Sequence, residues 1–320
     1  MSTVSVIIPA YGHAEYILQT LDSVFAQTFR DYEIIVVNDG SPDNTAAVLG
    51  PLIAADKIRY FEQPNQGVAT ARNFGISQAK GRYIALLDDD DLWPTDKLAW
   101  QVAAITDGDA VALGGSAIIV GAQGDTEQMP ENVKDGELAL ERFFEGNPFY
   151  SPGQVLFRRD VFERGVRFDP SIWGADDLDF WIGLVQEGRF LRDRRVALYY
   201  RRHETNASRA RLRMLVNCRK FLGKRWTTLA SSQRQRCMAA GYRWLYDYLG
   251  RDLLWEARLA LLSKRPCILQ GSILSWHLLM TFAGTRRDAP DTFKAIAADS
   301  KAAFVTSAGM ALKRRLGIRT

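Results

Sequence analysis

Short, almost wholly apolar runs alternate with helix-length amphipathic segments through the first ninety or so positions. Val4 to Pro9, Glu33 to Asn38, Ile58 to Phe61 and Tyr83 to Asp88 read as strands. Their near-continuous apolar character predicts strands covered on both faces. Between them, Glu15 to Gln27, Asn44 to Ala55 and Val68 to Ala79 have helical length and spacing. Strand and helix in turn predict an α/β fold: a mostly parallel sheet with helices on both faces. Ligands of such sheets lie beyond the carboxyl ends of the strands. That rule directs attention to Tyr11 and Gly12, Asp39, Pro64 to Gly67, and Asp88 to Asp91.

After Leu92 the pattern predicts a helix from near Pro94, a strand over 110–120, an exposed polar loop over 121–136 and a strand over 154–157. A helix over 177–187 and a strand over 196–200 follow. From Asn206 the strand signal fades, and helices broken near Gly250, Pro266, Gly284 and Pro290 are expected. The chain therefore divides into an α/β part, 1–204, and a mainly helical C-terminal region, 205–320.

Charge sharpens that division. Residues 1–200 carry 17 Lys and Arg against 30 Asp and Glu, a net −13, whereas 201–320 carry 24 against 7, a net +17. A region so basic suits a polyanion such as nucleic acid or an anionic membrane surface, or is a solvated helical face. It holds no recognised nucleic-acid motif, so no nucleic-acid partner is expected. Phe304, Ala308, Leu312 and Leu316 recur every four residues beside Lys313, Arg314, Arg315 and Arg319. Such a helix fits an anionic bilayer interface, the catalytic domain or a second subunit in a homo-oligomer.

With 47% hydrophobic and 24% charged residues, the chain is too apolar to be disordered. No run reaches the roughly 18 apolar residues of a membrane span. The nearest, Cys267 to Gly284, is broken by Gln270, Ser272, Ser275 and His277. No basic stretch precedes the apolar run at Val4, so no secretory signal is expected and the location expected is cytoplasmic. Three cysteines without metal-ligand spacing (Cys218, Cys237, Cys267) fit buried thiols.

Five segments carry chemistry. Asp88-Asp89-Asp90-Asp91 ends a strand, and four adjacent carboxylates repel unless a cation neutralises them. Mg²⁺ held by alternate carboxylates together with substrate phosphates is one reading, and a solvated acidic turn before Pro94 the other. Asn38-Asp39-Gly40-Ser41 offers a carboxylate to a ribose or base edge, or is ordinary turn chemistry. Gly67 to Gly75 opens a helix with Arg72 one turn in, suited to an anion or nucleobase, or to pairing with the acidic run. Asp176, Asp177 and Asp179 begin another helix, where Asp176 is expected to cap and one of the others to act as general base. Tyr199 to His203 leaves the last strand. Neither G-x-G-x-x-G after the first strand nor a P-loop is present, which removes the dinucleotide and P-loop readings.

In this order the five segments resemble glycosyltransferase family 2, inverting enzymes of the GT-A fold, over residues 3–204. Val4 to Tyr11 is similar to the family's opening strand, Val36 to Ser41 to its nucleotide-binding turn, and Gly67 to Gly75 to its Gly-x-x-x-Ala-Arg-Asn-x-Gly segment. Leu87 to Trp93 is similar to its Asp-x-Asp region. The resemblance implies Asp177 as catalytic base, with Asp176 in place of the family's Glu. It implies Pro9, Tyr11, Asp39, Arg72 and Asp89 at the nucleotide, and Asp88, Asp90 and His203 at an Mg²⁺ or Mn²⁺ ion. The implied partners are a nucleoside-diphosphate sugar, with UDP-sugars first, and a glycan or lipid-linked acceptor; the basic C-terminal region adds the expectation of peripheral attachment at the cytoplasmic membrane face. Arg225-Trp226 is preceded by Leu222 where the processive motif has Gln, so non-processive transfer is expected. Transfer to a polyprenyl phosphate, or a nucleotide-sugar-binding subunit without catalysis, are the alternatives.

Overall fold

The computed structural model describes residues 2–121, 126–128, 135–203 and 211–250. In chain order the elements are β1 (Val4–Ala10), α1 (Ile17–Phe25), β2 (Tyr32–Asn38), α2 (Thr45–Ala54), β3 (Arg59–Glu62), α3 (Val68–Ser77), β4 (Tyr83–Leu86) and α4 (Lys97–Thr106). Then come β5 (Ala112–Val120), β6 (Thr126–Gln128), β7 (Gly136–Glu137), β8 (Val155–Arg158), α5 (Asp160–Glu163), α6 (Asp176–Glu187), β9 (Phe190–Arg201), α7 (Arg211–Thr228) and α8 (Ser231–Leu245). The chain forms two units, Met1–Phe143 with Asn147–Asn206, and Phe144–Gly146 with Ala207–Thr320.

The first unit is built on one sheet of order β3-β2-β1-β4-β8-β5-β9-β7, with β6 paired to β5. Strands β3, β2, β1 and β4 are mutually parallel. β8 enters antiparallel between β4 and β5, and β5 and β9 are again parallel. The carboxyl ends of β1, β2, β3, β4, β5 and β9 therefore share one edge of the sheet. All seven residues of β1 are buried, Ser5 included, in keeping with its near-continuous apolar character. Ile17, Leu21 and Val24 form the stripe by which α1 joins the core. Helix α3 approaches β1 so closely that a Cβ at Gly75 would collide with Ile7.

β4 pairs with β1 only from Val4 to Ile7, so Pro9, which has no N–H to donate, lies beyond that ladder. Three expectations change. The helix after Pro94 begins at Lys97, because Pro94 to Asp96 form a turn. The polar segment after β5 contributes β6 and β7, which add to the sheet through backbone pairing with β5 and β9. β9 begins at Phe190, six residues earlier than its apolar part, with a register shift opposite Gly114 to Ser116.

In the second unit, Met214, Leu215, Cys218, Phe221 and Leu222 of α7 are buried, as are Cys237, Met238 and Leu245 of α8. Phe144 stacks on Phe221. Cys218 and Cys237 are reduced and buried. Among the described residues no helix is long and apolar enough to cross a membrane. Cys267, the breaks at Pro266, Gly284 and Pro290, and the Phe304 to Leu316 face lie outside the described residues.

Candidate active site

At the carboxyl edge, the chain leaves β4 into the turn Asp88 to Asp91, closed by the Asp91 N–H donating to the Asp88 carbonyl at 3.2 Å. Leu92 then exchanges two backbone hydrogen bonds with Tyr199 of β9. This bridge brings the residues after β9 against the acidic turn. His203 Nε2 lies 2.8 Å from Asp90 Oδ2. The Arg201 N–H donates to Asp91 Oδ1 at 3.0 Å, and its Nε donates to the Asp90 carbonyl at 2.8 Å.

The four carboxylates serve different partners. Asp89 is buried; it accepts from the Tyr11 N–H at 2.9 Å and meets His13 Nδ1 at 2.8 Å, so it braces the turn after β1. Asp88 accepts from Arg72 Nη2 at 2.7 Å and from Ser151 at 3.3 Å. Burial raises the pKa of Asp89, Asp90 and Asp91 above the ordinary carboxylate range, and mutual repulsion adds to it. The hydrogen bond that His13 donates to Asp89 lifts the His13 pKa to about 9 against the opposing effect of burial.

Arg72 is buried over the Phe168 ring and uses both ends of its fork, Nη2 on Asp88 and Nη1 on Asp176 at 2.8 Å. Burial works against its charge, but the two carboxylates outweigh burial and hold it cationic. Asp176 is not the cap expected of it: Ala175 occupies that position and Asp176 opens α6 already paired with Arg72. Asp177, half-buried, accepts from Asn147 Nδ2 at 2.7 Å and from the Leu178 N–H at 2.7 Å. Burial, followed by repulsion from Asp176, pushes its pKa up to about 7. Asp179 is buried within α6.

Of the remaining expected residues, Tyr11 stands exposed at the edge and Pro9 is buried inside β1. Asp39 accepts from Gln63 Nε2 and from the N–H groups of Gln66 and Gly67 at 2.7 to 2.9 Å. Gly67 has φ +88°, which a side chain would strain, so Asp39 and Gly67 together fix the loop that starts α3.

Three residues outside the sequence expectation complete the arrangement: His13, Asn147 and Ser151. Among the described residues, the group with metal-ligand spacing is His13, Asp90 and His203, whose ligand atoms all lie within 4.8 Å of one another. The chain has only three histidines, and two of them follow the carboxyl ends of β1 and β9. That placement was the available signal for His13. Asn147 and Ser151 sit in a loop held by Gln154, whose Oε1 accepts from the Tyr150 N–H, and no sequence pattern marks them.

The model of the family described as Glycosyl transferase family 2 matches residues 5–166. The chain belongs to that family. The family 2 match ends before Asp177 and His203. An uncharacterized glycosyltransferase of Rickettsia typhi is 30% identical over 217 residues, covering 66% of this chain and 68% of its own length. The chain spans 30% and 31% of the length of two other curated relatives. Among solved structures, S. aureus TarS in complex with UDP-GlcNAc superposes with a TM-score of 0.71 at 17% identity, covering 99% of this chain and 92% of that one. The mannosyltransferase PcManGT from Pyrobaculum calidifontis, in complex with GDP-Man and Mn²⁺, gives 0.59 at 21% identity, covering 95% and 86%. These neighbours share the GT-A fold with this family 2 chain.

Proposed function

We propose that this family 2 enzyme transfers a sugar from a nucleoside-diphosphate donor, with UDP-sugars first, to a hydroxyl of a glycan or lipid-linked acceptor. In this reading transfer is metal-dependent, inverts the anomeric carbon and adds one sugar per encounter. The observation that carries the proposal is the chain of contacts from Asp176, the neighbour of Asp177 at the head of α6, through Arg72 to Asp88, in the same turn as the Asp90–His203 pair. It supports reading Asp177 as the proton acceptor and the Asp90–His203 pair as the cation site.

Asp177 takes the proton of the acceptor hydroxyl. A carboxylate with a pKa near 7 is matched to that step at neutral pH. Asn147 holds one carboxylate oxygen and fixes the direction in which the other lone pairs point. Arg72 keeps Asp88 and Asp176 from moving apart. Asp39 and Tyr11 are assigned to the nucleoside, Asp39 by shaping the loop before α3; Pro9 and Asp89 support the turn that carries Tyr11.

The donor set fits a divalent ion, since an imidazole and a carboxylate oxygen already meet at Asp90 and His203 amid an excess of negative charge. When bound, Mg²⁺ or Mn²⁺ supplies positive charge to a departing diphosphate. The +17 region from residue 201 onward is assigned to a lipid-linked acceptor or an anionic membrane surface. Calorimetry of UDP and GDP binding, with Mn²⁺ and then with chelator, tests the reading. Ion-dependent binding is expected, and equal binding in both conditions removes the metal from it.

A further inference from the structure

His13 and His203 come from opposite ends of the first unit's sequence, yet their rings meet edge to face with centroids 5.2 Å apart. One atom from each, together with a carboxylate oxygen of Asp90, lies within 4.8 Å of the others. Around one ion with bonds of about 2.1 Å, adjacent donors are about 3.0 Å apart and opposite donors about 4.2 Å. The three groups are therefore close to the spacing that one ion demands.

The orientation of His13 is also set. Its Nδ1 is 2.8 Å from Asp89 Oδ1, and Asp89 is itself buried and anchored by the Tyr11 N–H. Imidazoles that bind metals commonly give their other ring N–H to a carboxylate, which fixes tautomer and ring direction. Asp89 stands in that relation to His13, which leaves Nε2 as the atom for an ion, its proton being released on binding. Asp88, by contrast, is engaged by Arg72 and Ser151.

We propose that His13 is a third protein ligand of the divalent-cation site, completing with Asp90 and His203 a set of two imidazoles and one carboxylate. This inference rests on the reading of Asp90 and His203 as metal ligands. Imidazole favours Co²⁺ and Zn²⁺, and to a smaller degree Mn²⁺, over Mg²⁺, which prefers oxygen. The site therefore takes a transition ion ahead of Mg²⁺.

The test is a Mn²⁺ titration of the full chain, followed by electron paramagnetic resonance without nucleotide, with Mg²⁺ affinity read by competition. Wild type, His13→Ala, His13→Gln and His203→Ala are compared. Both alanine variants are expected to weaken Mn²⁺ binding on the order of 10–100-fold. His13→Ala should change Mg²⁺ affinity much less, so the preference for Mn²⁺ narrows. Pulsed measurements should count two imidazole nitrogens on the bound ion in wild type and one in either histidine variant. His13→Gln can still donate to Asp89 but offers no imidazole, and it replaces His13→Ala if the latter loses its native circular dichroism. Wild-type Mn²⁺ affinity in the His13 variants, or a single nitrogen in the wild-type protein, overturns the proposal. A wild-type chain that binds no Mn²⁺ at millimolar concentration overturns the metal site as a whole. With no nucleotide present, neither result bears on sugar transfer, which is judged by nucleotide binding and release.

Discussion

Asn147 donates from Nδ2 to Asp177 Oδ2 at 2.7 Å, so a loop ahead of β8 supports the carboxylate at the head of α6. If Asp177 is the proton acceptor, Asp177→Asn lowers the transfer rate by on the order of 10²- to 10⁴-fold and leaves nucleotide affinity nearly intact. Steady-state kinetics beside calorimetry separates the two effects. Activity retained in Asp177→Asn but lost in Asp179→Asn would move the base to Asp179.

The same contact predicts a pH effect. Asp177 acts as a base only when ionised, so kcat/KM should rise with pH through about 7. The Asn147 hydrogen bond pulls that pKa down, so Asn147→Ala should shift the acid limb to higher pH as well as reduce the rate. A limb that does not move would make Asn147 a packing residue only. Stability carries the opposite sign. The folded state holds this proton more firmly than the unfolded chain, so stability falls as pH rises from the ordinary carboxylate range through about 7. Asp177→Asn should therefore raise Tm at pH 8 more than at pH 4.

Arg72 is buried between Asp88 and Asp176. Arg72→Met leaves two carboxylates without their shared cation and should cost about 3–5 kcal/mol in denaturant unfolding. Arg72→Lys should recover little, because an ammonium lacks the planar fork that reaches both partners.

The parallel half of the sheet was legible because both faces of β1, β2 and β4 are covered, leaving apolar runs that only a buried strand explains. The start of β9 was not. Arg192 to Arg195 are all charged, and Asp193 turns back to bind the N–H and guanidinium of Arg195, which masks a strand held by backbone pairing. Within the site, Asp90, Asp177 and His203 could be named because their segments, taken in order, resemble those of family 2. Asn147 and Ser151 could not, since they gain their places through a loop whose position depends on Gln154. The double engagement of Arg72, and Asp176 as its partner rather than a cap, arise between residues 104 positions apart.

Lys97 offers a test of the core beneath the site. Its side chain is fully buried, with Nζ 4.0 Å from the centre of the Trp93 ring and no hydrogen-bond partner. Burial holds its pKa well below the ordinary lysine value. The unfolded chain then binds the proton more firmly, so wild-type stability should rise with pH towards about 10.4. Lys97→Met should raise Tm at pH 7 and abolish that rise. A lower Tm would mean that the ammonium–Trp93 contact outweighs its desolvation.

The central claim is sugar transfer from a nucleotide donor with Asp177 as base, and donor turnover tests it most directly. Wild type and Asp177→Asn are incubated with Mn²⁺ and a panel of UDP- and GDP-sugars, and released nucleoside diphosphate is measured, with calorimetry reporting donor binding. The account predicts release from at least one donor by wild type, and in Asp177→Asn retained binding with release lowered at least about 100-fold. Equal release by the two proteins, or binding and release of no member of the panel by wild type, would contradict it.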